Sequence, residues 1–212
     1  MAKLWFSSDH HINHANLLYK FKSKCPDCGG SGVFDRIDVF DIPCFVCDGT
    51  GEIPMRPFTS LIEMHEVMVT RHNERVRPED HWTCMGDVTM ERSSTTKAWL
   101  KKEIAKYNGH KRLILGNHDH LPVADYLEVG FEKIMASNVI ENLLFTHYPI
   151  HPMSIPRGKV NIHGHTHSNP SPAGRYINIS VEMTNYAPLE LSELKEMARV
   201  ILEKEERSER KD

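Results

Sequence analysis

Long apolar runs are missing from this chain. None of its 212 residues falls in an uninterrupted apolar stretch of about 18 or more, so we expect no membrane-spanning helix. The start, MAKLWFSSDHH, lacks a charged region followed by a long apolar one, so we expect no secretory signal and a cytoplasmic protein. An excess of positive charge is missing too, because 26 Lys and Arg stand against 29 Asp and Glu. The net charge of −3 argues against a protein that binds nucleic acid through its overall charge.

Cysteine is scarce, and its placement is more informative than its number. Four of the five cysteines form two Cys-x2-Cys pairs, in CPDCGGSG (25–32) and CFVCDGTG (44–51). In a chain without a secretory signal this spacing favours a metal site over disulfides. Four thiolates would close one tetrahedral zinc site and leave no position for a substrate, so the zinc would be structural. The zinc ligands would be Cys25, Cys28, Cys44 and Cys47, whereas Cys84 lies in an apolar run and is expected to be a buried thiol.

Short apolar runs alternate with helical patterns along most of the chain. Buried strands are predicted at 3–9, 81–87, 111–119, 142–149, 159–167 and 175–183. Helices are predicted at 59–77, at 94–108 and from Ser192 onward, with a solvated or frayed end at EKEERSERKD. This alternation favours an α/β fold. Residues 22–55 break the rhythm, and we interpret them as a four-cysteine zinc-binding subdomain inserted into a single domain spanning 1–212.

Histidine is abundant, and many of the 14 histidines lie where predicted strands end. In open α/β sheets, binding sites form outside the carboxyl ends of the strands. Five clusters of metal-capable side chains fall at such ends. They are Asp9 with His11; Asp87; Asn117 with His118 and Asp119; His147; and His165 with His167.

These side chains could hold two divalent cations. Such a pair needs a bridging carboxylate, and Asp87, alone on its loop, suits that role. One cation could take Asp9, His11 and His167, and the other Asn117, His147 and His165. Residues i and i+2 of a strand point the same way, which would explain both Asp-x-His and His-x-His. The two cations would lower the pKa of a bridging water and clamp the oxygens of an in-line displacement at phosphorus. His118 could then protonate or stabilise the leaving-group oxygen.

The same residues resemble the five signature blocks of the calcineurin-like metallophosphoesterase superfamily. The matching segments are Asp9-x-His11, Gly86-Asp87, Gly116-Asn117-His118-Asp119, His147 and Gly164-His165-Thr166-His167. The resemblance covers residues 4 to about 190 apart from the insertion, and it is greatest to small bacterial and phage members. Those members open with Ser-Asp-x-His-Phe-Gly-His, which reads SSDHHINH here, so that His14 keeps the final histidine.

The resemblance implies a four-layer α/β/β/α sandwich, with two mixed sheets flanked by helices, and a dinuclear site holding Mn, Fe, Zn or a mixture. It implies hydrolysis of phosphoesters by a metal-bridging hydroxide. Serine/threonine protein phosphatases follow Gly-Asp with further Asp and Arg-Gly, whereas this chain reads GDVTMERSS. This departure argues against a protein phosphatase, and the resemblance to the small members implies a phosphodiesterase acting on nucleotide-type or cyclic nucleotide substrates. The candidates for positions beside the ligands or the substrate are His10, His14, Asp119 and His120.

The Cys-x2-Cys-x-Gly-x-Gly pattern resembles the repeat of the cysteine-rich region of DnaJ-type chaperones, and both copies match in full. Its glycines allow turns that direct backbone amides at the sulfurs. The zinc-ribbon-like insertion could be a metal-stabilised element alone, or an arm that grips a nucleotide, a nucleic acid or a protein. Lys20, Lys22 and Lys24 form a small basic patch at its base. Two alternatives to a phosphodiesterase remain. One is a phosphomonoesterase, and the other is a non-catalytic adaptor that binds a partner through the insertion.

Overall fold

The computed structural model describes residues 1–37, 40–93 and 95–209. The described strands are β1 (Leu4–Ser7), β2 (Lys22–Lys24), β3 (Val33–Ile37), β4 (Phe40–Pro43), β5 (Glu52–Pro54), β6 (His81–Cys84), β7 (His110–Ile114), β8 (Lys133–Met135), β9 (Ser137–Ile140), β10 (Leu143–Thr146), β11 (Val160–His163), β12 (Tyr176–Asn178) and β13 (Leu189–Glu190). The described α-helices are α1 (Asn16–Tyr19), α2 (Leu61–Arg75), α3 (Thr96–Ile104), α4 (Val123–Val129) and α5 (Leu191–Glu209).

The chain divides into two compact units. The first unit comprises Met1–Asn13 and His65–Asp212, and the second comprises His14–Met64. Two mixed sheets form the first unit. The larger has the strand order β13-β1-β6-β7-β8 and the smaller has the order β12-β11-β10-β9. In each sheet one outer strand, β13 or β9, is antiparallel and the others are parallel.

The larger sheet is covered by helices on one face. Trp5 of β1 and Trp82 of β6 point to that face, where they meet Leu100 and Ile104 of α3 and Tyr126 of α4. Parallel strands that are buried on both faces read as continuous apolar runs, which is the pattern seen in KLWFS and HWTC. The helices therefore pack their apolar stripes against this face of the sheet.

The other face of the larger sheet packs against the smaller sheet. Phe6 follows Trp5 and points the opposite way, because successive strand side chains alternate. Its ring stacks on Phe145 of β10, with 4.3 Å between the ring centroids. Helix α5 adds Leu194 and Ala198 to the same core. The predicted α/β fold with two mixed sheets and flanking helices is thus confirmed.

One buried carboxylate fastens the beginning of β1 to the segment before β6. Asp80 is fully buried and accepts hydrogen bonds from the Lys3 backbone N–H (2.8 Å), the Trp5 indole N–H (3.1 Å) and the Arg77 backbone N–H (3.1 Å). Burial opposes ionisation, but these hydrogen bonds outweigh it and hold the pKa of Asp80 well below its usual range. The ionised carboxylate is therefore part of the native state.

We expect Asp80→Asn to lower the free energy of unfolding by about 2–3 kcal/mol at neutral pH, because a charged acceptor of buried donors is lost. A lowered folded-state pKa contributes stability above the unfolded value of about 3.9, and that stability is lost as the pH falls below it. The variant should therefore lose less stability between pH 5 and pH 2 than the wild type, measured by urea unfolding. Glu79→Gln changes an exposed neighbouring carboxylate and should leave both quantities nearly unchanged. Equal stability of Asp80→Asn and the wild type at neutral pH would contradict this prediction.

The second unit has little apolar core in its cysteine-rich part. Strand β2 pairs with β5, and β3 pairs with β4, both antiparallel. Among the described side chains of 22–55, the buried hydrophobic ones are Cys25, Cys44 and Cys47. Two-stranded ribbons of this length are marginal in water on their own. The sulfur cluster is therefore the main element that could organise this segment.

The predicted elements differ from the structure mostly at their ends. All six predicted strands are present but shorter, because the chain turns before the polar residues that follow each apolar run. Of the predicted solvated or frayed end at EKEERSERKD, the solvated form is confirmed for the described residues, since α5 continues to Glu209 and its last turns are mostly exposed; the last three residues lie outside the described part. Arg199 pairs with Glu196 and Glu203 on either side along this helix, and such pairs stabilise a helical surface. None of the described helices combines the length and the apolarity needed to cross a bilayer.

Candidate metal centre

Two groups of side chains in the first unit could each hold a metal ion. One group contains Asp9, His11 and His167, and the other contains Asp87, His147 and His165. Within each group the ligand atoms lie within 4.8 Å of one another. Nitrogen and carboxylate donors of this kind suit divalent first-row cations.

Asp87 connects the two groups. Its Oδ2 atom lies 3.4 Å from His11 Nε2 in the first group and 3.4 Å from His147 Nε2 in its own group. The Asn117 Oδ1 atom lies 3.0 Å from His147 Nε2, on the side of the second group. A single carboxylate oxygen thus faces a histidine of each group, as a bridging ligand must.

The backbone at these residues is left-handed. The φ angles are 61° at Asp9, 45° at His11, 56° at Asp87, 67° at His165 and 51° at His167. Non-glycine residues are uncommon in this region, and each costs on the order of 1–3 kcal/mol unless the surroundings enforce it. Strain of this kind concentrates at functional sites, so five strained residues in one cluster mark the centre independently of their side chains.

This geometry corrects the explanation that the sequence suggested for the i, i+2 spacing. Strand β1 ends at Ser7 and β11 ends at His163, so neither Asp-x-His nor His-x-His lies within a strand. Both residues of Asp9-x-His11 lie in the turn after β1 with left-handed backbone, and their side chains come within 4.0 Å of each other (His11 Nε2 to Asp9 Oδ1). Strand alternation does not account for them.

Three glycines leave the space that the ligands occupy. A Cβ atom at Gly164 would collide with Ser8 Oγ and Asp9 Oδ2, and one at Gly116 would collide with Asp87 Oδ1. At Gly86 it would lie 2.6 Å from His147 Nδ1. These contacts explain why the motif contains glycine at each of these positions.

Partners behind the ligands fix their orientation. The Nδ1 atom of His147 donates to the Met85 carbonyl (2.8 Å), and that of His167 lies 3.0 Å from Glu182 Oε1. The Ser180 hydroxyl donates to Asp9 Oδ2 (3.0 Å). Such partners set the tautomer and direction of a metal-binding histidine. The sequence analysis missed Glu182 and Ser180, because they lie within a segment interpreted as strand and no spacing links them to Asp9 or His167.

Asp119 ties two ligand loops together. Its carboxylate accepts hydrogen bonds from the backbone N–H groups of Gly116 (2.7 Å), Asp87 (2.9 Å) and Val88 (3.0 Å). Burial raises the pKa of Asp119 to about 6 despite these bonds. The residue therefore positions the loops that carry Asp87 and Asn117.

The centre favours positive charge. Burial lowers the pKa of His147, but Asp87 and Asp9 outweigh that effect and raise it to about 9. Burial likewise opposes ionisation of Asp87, yet its interactions with His147 and with the His118 backbone N–H lower its pKa. Two buried carboxylates need compensating cations, and metal ions would displace the proton from His147. The residues present therefore fit divalent metal ions.

The remaining candidates fall in different places. The ring of His118 lies 5.4 Å from that of His11, and its buried Nδ1 has no hydrogen-bond partner within the described ranges. His10 lies in the helix-side core, 3.5 Å from Cys84 Sγ and edge-on to Trp82. At the surface, His120 contacts Arg92. His14 belongs to the second unit, where its ring packs against Phe21.

A separate sulfur cluster lies in the second unit. The Sγ atoms of Cys25, Cys28, Cys44 and Cys47 lie within 4.8 Å of one another, with Cys25 and Cys44 3.7 Å apart. These distances are too long for disulfides, whose S–S length is about 2.05 Å. The backbone N–H of Gly32 donates to Cys28 Sγ (3.3 Å) and that of Gly51 to Cys47 Sγ (3.2 Å), which confirms the predicted role of the glycine turns. Burial opposes ionisation of Cys28, but the Gly32 and Gly30 amides lower its pKa to about 6. The all-thiolate set suggests zinc.

Comparison with solved structures supports the fold over most of the chain. No family model matches the chain. The uncharacterized protein MJ1445 of Methanocaldococcus jannaschii is 27% identical over 202 residues, which cover 90% of this chain and 88% of that protein. The crystal structure of a protein of unknown function, AQ665 from Aquifex aeolicus, covers 93% of this chain and 100% of that one, with a TM-score of 0.57 and 21% identity. The nuclease MPE of Pseudomonas putida aligns over 51% of this chain and 56% of its own, with a TM-score of 0.37 and 18% identity, which is too low to carry an argument.

Proposed function

We propose that the protein is a dinuclear metal-dependent phosphoric ester hydrolase of the calcineurin-like type, with phosphodiesters of nucleotides as its preferred substrates. The observation that supports it most is the meeting of two donor groups at one oxygen of Asp87, which lies 3.4 Å from a histidine of each group. The five left-handed residues in the same cluster add to this support. The resemblance to the superfamily in all five blocks supplies the reaction class.

In this proposal, Asp9, His11 and His167 would hold one cation and Asn117, His147 and His165 would hold the other. Asp87, which faces a histidine of each group, would be the ligand they share. Bound Mn, Fe, Zn or a mixture would supply Lewis acidity towards the phosphoryl oxygens and make a hydroxide nucleophile available near neutral pH. Glu182 and the Met85 carbonyl keep the Nε2 atoms of His167 and His147 directed at the centre.

His118 is assigned the proton transfer to the leaving-group oxygen. Its backbone N–H donates to Asp87 Oδ1 (2.8 Å), which fixes the loop beside the bridging carboxylate. Its ring lies next to that of His11, with 5.4 Å between the ring centroids. A ring nitrogen placed there would carry the proton that a departing alkoxide needs.

The catalytic domain is assigned to residues 1–212, with 22–55 as an insertion held by one structural zinc. The closed set of four thiolates gives this zinc no part in the chemistry. The assignment is supported by the shortage of other buried apolar side chains among those described in 22–55.

The test is the Mn²⁺-dependent hydrolysis of bis(p-nitrophenyl) phosphate and p-nitrophenyl phosphate by the full chain. We expect the diester to be cleaved with the larger kcat/KM. A larger value for the monoester would replace this proposal with a phosphomonoesterase. If neither ester is cleaved while two metal ions are bound, the adaptor alternative is favoured.

A further inference from the structure

A cavity of about 240 Å³ lies in the first unit, next to the chain segments that carry the metal-capable residues. It is formed by the residue after Ile12, by the loop that follows Asp87, and by the beginning of α3. The lining residues are Asn13, Glu91, Ser93, Thr95, Thr96 and Trp99. None of them belongs to either ligand group.

Backbone hydrogen bonds join the cavity to the candidate metal centre. The His11 N–H donates to the Asp87 carbonyl (2.9 Å), and the Ile12 N–H donates to the Val88 carbonyl (2.9 Å). Asn13 comes two residues after His11, so their Cα atoms are at most about 7 Å apart. The cavity is therefore lined by residues that directly follow the ligand-bearing turns at His11 and Asp87.

The lining is suited to a flat, polar ring. Trp99 is half-buried and supplies an aromatic wall. Asn13 is held in place by a hydrogen bond to Glu91 Oε1 (2.9 Å), and its backbone is left-handed, with a φ of 67°. Hydroxyl groups of Ser93, Thr95 and Thr96 complete the wall.

The charge of the lining favours some chemical groups of a ligand over others. Among the described residues that line it there is no lysine or arginine, and they include Glu91, which carries a carboxylate. A phosphate group would be repelled there, whereas the amino and ring N–H groups of a nucleobase would find acceptors in Glu91 and Asn13. Bases also stack on aromatic side chains whatever their sequence.

We infer that this cavity binds the nucleobase of a phosphodiester whose phosphorus lies at the metal centre. The base stacks on Trp99, and its hydrogen-bonding edge meets Asn13 and Glu91. This inference rests on the proposed function and adds the feature that distinguishes a nucleotide from other diesters. It makes Trp99 and Asn13 specificity-determining residues.

The first test is a binding measurement that needs no turnover. Trp5 and Trp82 are buried, so among the three tryptophans of the chain Trp99 is the one that a ligand can reach. We expect nucleoside 5′-monophosphates to quench the tryptophan fluorescence of the Mn²⁺-loaded protein and to bind at least about tenfold more tightly than ribose 5-phosphate. In Trp99→Leu the quenching and the preference for the base should both disappear. Lys102→Ala, on an exposed position of the same helix, should retain both.

Equal affinity for the base-bearing and base-free phosphates would overturn the inference, as would quenching that survives in Trp99→Leu. Asn13→Gly provides a second variant if Trp99→Leu does not fold, because glycine accepts the left-handed backbone while removing the amide. It should weaken nucleotide binding several-fold and keep the quenching. Unchanged affinity in this variant would also count against the inference.

A kinetic measurement distinguishes failure of this inference from failure of the proposed function. The ratio of kcat/KM for the p-nitrophenyl ester of a nucleoside 5′-phosphate to that for bis(p-nitrophenyl) phosphate should fall about tenfold in Trp99→Leu. Absence of hydrolysis of both esters by the wild type would overturn the phosphodiesterase proposal, and the fluorescence result would then decide the cavity alone. Hydrolysis of both esters with the same ratio in the wild type and in Trp99→Leu would overturn the base-binding role alone.

Discussion

Asp87→Asn is expected to lower kcat/KM for bis(p-nitrophenyl) phosphate by at least ~10³-fold. The substitution keeps the size of the side chain and an oxygen that can accept from the His118 N–H. It removes the charge that one carboxylate offers to both donor groups, whose histidines lie 3.4 Å from the same oxygen. Bound metal should fall from two ions per first unit to one or fewer, measured by mass spectrometry of the metal content. Full activity with two metals retained would show that Asp87 is not the bridging ligand.

The His118→Ala variant tests whether His118 acts as a proton donor or instead helps to hold the metal ions. For a dinucleoside monophosphate, whose leaving group is an alkoxide, it should reduce kcat about a hundredfold or more while both metal ions stay bound, because general acid catalysis typically contributes ~10²–10⁴-fold. His110→Ala is the matched control, since His110 is an exposed histidine that pairs with Glu132 on the same unit. Undiminished turnover in His118→Ala would remove His118 from the mechanism, whereas loss of metal would show that it holds the centre together.

The identities of the metal-capable residues could be predicted from the sequence because of where they occur. Asp9, Asp87 and His165 each follow a short apolar run, and in an α/β fold such runs end at a common edge. The structure places these side chains in two groups, as the residue types and their order suggested. Periodicity could also predict α2 and α3, whose apolar faces pack on the larger sheet.

The conformation of the ligand turns could not be predicted in the same way. Left-handed backbone at Asp9 or His167 has no signature in the residue type, because it is imposed by tertiary contacts such as those around Gly164. Glu182 could not be recognised for a related reason. It contacts His167 from a 3-10 helix, Val181–Thr184, whereas the residues NISVEM are typical of a strand. Strands β8, β9 and β13 contain no buried side chain, so they lack the buried apolar run that marks β1 and β6.

In the cysteine-rich segment, the spacing of the cysteines predicted the metal site, whereas the strands showed no hydrophobic period in the sequence. Hydrophobic burial is a weak source of stability there, since the buried hydrophobic side chains described in 22–55 are three of the four cysteines. Burial raises the pKa of Cys44 to about 11, so an uncoordinated thiol at that position would stay protonated. A cation that replaces these protons would supply the missing stability. This segment should therefore fold only with its metal.

Cys44→Ser is expected to lower zinc affinity at this site by more than about a hundredfold, because a directly bound thiolate matters more than the outer partners whose loss costs 10–100-fold. Zinc content should fall by one ion per chain, and limited proteolysis should cut within 22–55, where the wild type resists. Cys84→Ala is the matched control, since it removes the one cysteine of the first unit and should leave the zinc in place. Retention of zinc and of protease resistance in Cys44→Ser would contradict the metal-dependent fold. Loss of protease resistance on adding a reductant alone would indicate disulfides instead. The sulfur separations of 3.7–3.8 Å are too long for disulfide bonds and are those of ligands around a shared ion.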